Sequence, residues 1–234
     1  MRHRSQRLLD VFLICLVGIV TLFFAGLRVA EANWLCPWLG PCLYESPGFR
    51  FTVVDKETGQ PLADVFALAE WIQYGRHGRN GPIMVQDAVS DPDGRLVFPP
   101  WGPIQGSPSG LVLNHDPFMT LFRPGYRTLA MTNRVSMATE ETTRVRRFGQ
   151  DGQTIAMERF RETPEEWMRE LDKLRQGAAA SMSVEQFLQF RVPYLKRAKR
   201  LWSEREEAPP KYREPGEFFW HVERTIRRLE EGKP

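Results

Sequence analysis

Histidine, cysteine and an excess of either charge are scarce in this chain of 234 residues, and each scarcity excludes something. The four histidines, His3, His77, His115 and His221, begin no H-x-x-E or H-E-x-x-H pattern, which removes the zinc hydrolase arrangements that need one. Apart from Cys15, the cysteines are Cys36 and Cys42, and the five residues between them do not match the C-x2-C spacing of metal or redox sites. A net charge of only +3 argues against wholesale nucleic-acid binding. No Walker A or dinucleotide-binding glycine motif occurs. Gly106-Ser-Pro-Ser-Gly110 places proline where a nucleophile elbow needs serine. No cofactor or metal site is expected, and no catalytic residue is named.

The charge that is present is unevenly placed. Residues 50–134 hold eight basic and eight acidic side chains, whereas residues 136–234 hold twenty and eighteen. The middle of the chain is sparsely charged and the end is dense in both signs, so a composition boundary falls near residue 136.

Arg2, Arg4 and Arg7 precede an uncharged, largely apolar run at residues 11–27. Seventeen helical residues span about 25 Å, a little short of a hydrocarbon core of about 30 Å. Leu8 and Leu9 before it, and Val29 and Ala30 after it, extend the run past Asp10 and Arg28. Basic residues ahead of the span predict a cytoplasmic N-terminus and an exported remainder. Two readings stay open. A retained anchor makes a single-pass inner-membrane protein with its bulk on the periplasmic or extracellular side. Cleavage after Ala32, in the small-x-small stretch Ala30-Glu-Ala32, makes a secreted or periplasmic one. Arg28 and the length of the run favour the anchor. Beyond it, Pro37, Gly40 and Pro41 bend the chain between Cys36 and Cys42, and a disulfide there would contribute about 2–3 kcal/mol.

Phe49, Phe51 and Val53 alternate with Arg50, Thr52 and Val54, the period of a half-buried strand. Residues 55–62 read as a turn, with Gly59 free to take positive φ. Residues 63–74 are apolar on both periods, and their short flanking turns favour a strand buried on both faces. Residues 83–89 and 95–98 are joined by Ser90-Asp-Pro-Asp-Gly94, and residues 118–122 and 126–131 flank Arg123-Pro-Gly125. Short strands with frequent turn signals indicate a β-sandwich or barrel.

Three of these stretches resemble carboxypeptidase regulatory-like domains, which are transthyretin-like β-sandwiches. Phe51-Thr-Val-Val-Asp-Lys-Glu-Thr-Gly-Gln-Pro-Leu-Ala-Asp-Val-Phe66 resembles the family's opening strand, turn and second strand. Ser90-Asp-Pro-Asp-Gly-Arg-Leu-Val-Phe98 is similar to its Thr-Asp-x-x-Gly-x-Phe hairpin, and Phe122-Arg-Pro-Gly-Tyr126 to its late Gly-Tyr strand. The resemblance covers residues 49–135 and departs from the family at the insert 75–82 and the loop 102–117. It implies a non-catalytic module for folding, display or partner binding, and no ligand.

The charged tail reads as helical. Thr163-Pro-Glu-Glu166 is a helix start, with Trp167, Met168, Leu171 and Leu174 on one stripe. Ser183 with Gln186 forms a capping box. The next stripe runs Val184, Phe187, Leu188, Val192, Leu195, Ala198 and Trp202, with Pro193 interrupting it. Phe218, Phe219, Val222, Ile226 and Leu229 mark a third helix. The basic cluster 196–200 reads as a solvated helix face, with anionic lipid or an acidic partner as its alternative.

The expected architecture is therefore mainly β with an α-helical C-terminal extension. It divides into an anchor or signal segment (1–32), a Cys/Pro-rich linker (33–48), a β-sandwich (49–135), a connecting segment (136–162) and a helical tail (163–234). The expected function is a non-catalytic, membrane-tethered extracytoplasmic binding or scaffold module, with a protein partner at the tail. A glycan- or envelope-polymer-binding protein is the second reading: Trp101, between Pro100 and Gly102, is expected exposed, and Trp71 is expected in the core. The third is a hydrolase formed by His77 and His115 with Asp87 or Asp116.

Overall fold

A computed structural model of the protein describes residues 42–75, 78–106, 111–112, 116–133, 144–175 and 182–233. The expected membrane segment, Cys36, His77 and His115 lie outside the described residues. Among the described residues, no helix is long and apolar enough to cross a membrane.

The chain is mainly β with a helical C-terminus. Its strands are β1 (Leu43–Ser46), β2 (Phe49–Asp55), β3 (Phe66–Gly75), β4 (Gly78–Val89), β5 (Arg95–Phe98), β6 (Trp101–Gln105), β7 (Leu111–Val112), β8 (Phe118–Phe122), β9 (Leu129–Met131) and β10 (Thr154–Met157). Helices α1 (Pro164–Arg175), α2 (Val184–Trp202) and α3 (Phe218–Glu231) follow, with a 3-10 turn at Pro210–Arg213. One sheet has the order β10-β2-β5. A second runs β4-β3-β8-β9, with β7 also paired to β3, and β1 pairs with β6.

Strand parity sets the layers. In β2, Phe49, Phe51 and Val53 are buried, and they meet Ala67, Ala69 and Trp71 of β3 and Met119 and Leu121 of β8 in one core between the sheets. The alternate residues of β3 and β8 face the other way. Phe66 and Leu68 pack on Phe187, Phe190 and Tyr194 of α2, and Phe122 packs on Trp167 and Leu171 of α1. This double duty explains why β3 is apolar on both periods. The order of layers is thus small sheet, larger sheet, helices.

Several expected boundaries move. The stretch expected as a linker supplies β1, and the stretch expected as a connector supplies β10, which pairs in parallel with β2 from Thr154↔Thr52 to Met157↔Asp55. The stretch likened to a hairpin is a crossover: β4 pairs with β3, whereas β5 pairs with β2 in the opposite sheet. Ser90 fixes this crossing, its Oγ donating to the Leu62 carbonyl at 2.6 Å and accepting from the Val65 N–H at 2.8 Å. Gly94 then passes against β2, where its carbonyl accepts from the Val53 N–H. Its φ is +73°, and an added Cβ would lie 2.4 Å from the Val53 carbonyl oxygen. Gly94→Ala should therefore cost about 2 kcal/mol, read as a lower urea midpoint. An unchanged midpoint would mean that the crossover tolerates a side chain.

The helix starts follow the sequence. Thr163 Oγ1 accepts from the Glu166 N–H while Glu166 Oε2 accepts from the Thr163 N–H, and Ser183 and Gln186 form the same reciprocal pair. Pro193 does not interrupt α2, which is continuous from Val184 to Trp202. The carbonyl that Pro193 leaves unpaired belongs to exposed Gln189, where water can reach it.

The buried face of α2 is Phe187, Phe190, Tyr194, Arg197, Ala198 and Leu201. Val184, Leu188 and Val192, expected on that face, are 58%, 47% and 51% exposed. Nor is the basic cluster a free solvated face. Lys196 pairs with Asp87 of β4 at 2.7 Å, Arg200 grips Asp64 with both guanidinium nitrogens, and Lys199 pairs with Glu230 of α3. Exposed pairs of this kind contribute about 0–1 kcal/mol each. The aromatic side chains beneath them contribute about 1.5–3 kcal/mol each and hold the helix down, while the ion pairs select its register.

Candidate functional site

Among the described residues, buried polar side chains gather in clusters sealed inside the protein. The first begins with Glu70, the one acid in the apolar run of β3, which has no solvent exposure. Tyr194 of α2 donates its hydroxyl to Glu70 Oε1 at 2.6 Å. Arg197, itself buried, stands over the Tyr194 ring at 4.9 Å. Burial, with the adjacent Glu70 carboxylate, pushes the Tyr194 hydroxyl far above the usual phenol range, so it acts as a fixed donor. This cluster joins helix to sheet, because a charge buried at such a joint must meet its partners from both sides.

The second cluster surrounds Asp116, which has no solvent exposure. Its Oδ2 accepts from the Ile72 N–H at 3.1 Å, and its carbonyl accepts from Asn133 Nδ2 at 2.9 Å. Arg146, 2% exposed, lies over the Tyr44 ring at 5.0 Å. Burial pushes the Asp116 carboxyl up to about 8, against the Ile72 N–H and the positive charges of Arg146 and Arg79. Such a group is a protonated acid at neutral pH.

A third polar centre belongs to the first resemblance motif. Asp55 ends β2, and its carboxylate accepts from Tyr126 Oη at 2.8 Å, Arg159 Nε at 2.7 Å and the backbone N–H groups of Glu57 and Thr58. The Tyr126 hydroxyl above all, then Arg159 and the two backbone donors, holds it well below the usual carboxylate range. It ties the turn after β2 to the β8–β9 turn and to the segment after β10.

Among the described residues, grooves open to solvent at two places that bear on function. One, of about 460 Å³, lies beside β1 and β6 and is lined by Glu45, Pro47, Pro100, Trp101, Val145 and Arg147. The other, of about 340 Å³, lies between α1 and α3, where Met168, Tyr212 and Phe218 meet Arg169, Asp172 and Glu217.

The expected site residues divide as follows. Trp101 is not the exposed platform its Pro and Gly neighbours suggest: it is 7% exposed and packs edge-on against Trp71 at 5.2 Å. Gly102, at φ +98°, lets β6 lie so close to β1 that an added Cβ would lie 2.5 Å from Glu45 Cβ. Trp71 is fully buried, as expected. Asp87 stands opposite Leu68 on the sheet and Asp116 binds the Ile72 amide, while His77 and His115, expected beside one or the other, lie outside the described residues. Cys42 is buried, and Cys36, its expected disulfide partner, lies outside the described residues. Tyr194, Arg197 and Arg146 carry no sequence signal of their own, though a lone Glu70 within an apolar strand already requires a buried partner. No family model and no curated protein matches the chain.

Proposed function

We propose that this protein is a non-catalytic binding or scaffold module, tethered by its N-terminal segment to the outer face of a cytoplasmic membrane and closed by the Cys36–Cys42 disulfide. The carrying observation is the seating of the helical region on the larger sheet, which makes helices and strands one body and leaves the α1–α3 groove open. The sealed carboxyls support the same reading, because they serve packing rather than a cleft. The first and third resemblance motifs support a carboxypeptidase regulatory-like sandwich, although the stretch likened to the family's hairpin crosses between the sheets. Against the polymer-binding alternative stands Trp101, whose ring is spent on Trp71.

The groove's apolar floor and two-signed rim suit a protein segment with one apolar anchor and flanking charges of both signs. Reversing Arg169 and Asp172 together, as Arg169→Glu with Asp172→Arg, should abolish recovery of a stoichiometric partner with tagged full-length protein from detergent-solubilised membranes. The melting temperature should fall only slightly, because the Asp172–Arg175 pair lost with it is partly exposed. A partner retained by this variant would place the contact elsewhere, and no stoichiometric partner with the native chain would end the adaptor reading.

A further inference from the structure

Val184, Leu188 and Val192 recur every four residues along one side of α2 and are about half exposed, although the rest of that helix's apolar surface is packed. The row runs beside the end of α3. A Cβ on Gly232 would lie 3.7 Å from Leu188 Cδ2 and 3.1 Å from Arg191 Nη1. Arg228 of α3 stands over Phe187 at 5.9 Å. Among the described residues, neither Arg191 nor Arg228 makes an ion pair, unlike Lys196, Lys199 and Arg200 further along. An apolar row edged by uncompensated guanidinium groups fits an anionic lipid surface.

The point where the preceding chain enters the fold indicates the same occupant. The Cys42 carbonyl accepts from the Gly106 N–H at 2.8 Å, and Gly106 abuts Gln73, where a Cβ would lie 2.6 Å from Gln73 Nε2. Gln73 is near the end of β3, and Tyr74 beside it pairs with Arg79 at the start of β4. Gln186, in the first turn of α2, donates to the Pro82 carbonyl of β4 at 3.0 Å. Cys42 and the start of α2 therefore share one pole of the molecule. The nine residues 33–41 reach at most about 30 Å, and a disulfide to Cys36 would shorten that reach further. A body tied this closely cannot carry that pole far from the bilayer.

We infer that the row Val184–Leu188–Val192, with Arg191 and Arg228, rests on the anionic phospholipid surface of the membrane that holds the tether. The inference depends on the tether proposed above. The test uses full-length protein in nanodiscs of phosphatidylcholine with phosphatidylglycerol, with a benzophenone amino acid at position 188 or, as control, at position 97. Val97 is 62% exposed on β5, in the sheet on the opposite side of the core. On irradiation, position 188 should form lipid adducts at least about tenfold more often than position 97, and Arg191→Glu with Arg228→Glu should reduce that yield. Carbonate extraction of the same protein reads the tether separately. Protein that stays in the membrane but forms no excess of lipid adducts at 188, or crosslinks there to another polypeptide, overturns this inference and leaves the tether standing. Protein released by carbonate overturns both.

Discussion

Truncating Phe122 to alanine should lower the unfolding free energy by about 3–5 kcal/mol, and sheet and helices should still unfold in one transition. Phe122 is fully buried at the end of β8, yet it faces away from the core between the sheets. Its ring lies 6.1 Å from Trp167, within the cluster of Met168, Leu171, Leu174 and Phe219. The residue belongs by backbone to the sheet and by packing to the helices. A cavity there weakens the joint itself. Urea unfolding followed by tryptophan fluorescence and far-ultraviolet dichroism is the measurement. A loss below about 1 kcal/mol, or helices melting separately in the native protein, would mean that the two parts fold independently.

A second large effect concerns Asp116. A carboxyl whose pKa is higher in the folded than in the unfolded state favours folding most when both states are protonated, and loses that advantage as pH rises toward the folded value. For Asp116 the window opens near its ordinary value of 3.8 and closes near 8. Across it the protein should lose on the order of 5 kcal/mol of stability from this group, and then level off. Asp116→Asn removes the titration while keeping an oxygen for the Ile72 N–H. The variant should therefore be more stable than the parent at pH 8.5 and lose the slope between pH 4 and 8. A parallel pH profile in both proteins would show that Asp116 is ionised within the fold, its charge held by Arg146.

Much of the core was legible because it rests on short-range pattern. The alternation at Phe49, Phe51 and Val53 forms β2, and the doubly apolar run ending at Tyr74 forms β3 with both faces covered. Capping at Thr163 and Ser183 marked two helix starts for the same local reason. What failed was non-local. Thr154-Ile-Ala-Met157 is too short to announce a strand, and only the edge of β2, about a hundred residues earlier, makes it one. Lys196 and Arg200 read as solvated because Asp87 and Asp64, their partners, lie on distant turns and strands. In α2, two apolar stripes lie side by side at helical spacing. Periodicity could not say that Phe190 and Tyr194 would turn inward while Leu188 and Val192 stayed out, since Glu70 and Phe66 across the joint make that choice. The burial of Trp101 is likewise non-local, since the ring it packs on, Trp71, lies thirty residues earlier in β3.

The parallel pairing of β10 with β2 also shapes how the chain must be made. A ribosome working from the N-terminus releases β2 and β5 long before it reaches Thr154, and at about 5–20 residues per second the interval is on the order of ten seconds. Through that time the β2 edge that β10 will cover is bare, a hydrogen-bonding template backed by Phe49, Phe51 and Val53. A nascent chain in this condition invites pairing with its neighbours, and any product ending before residue 154 keeps the condition permanently. Stalled or clipped forms of this protein should therefore aggregate or be degraded, and a chaperone that shields strand edges has its work between residues 55 and 154.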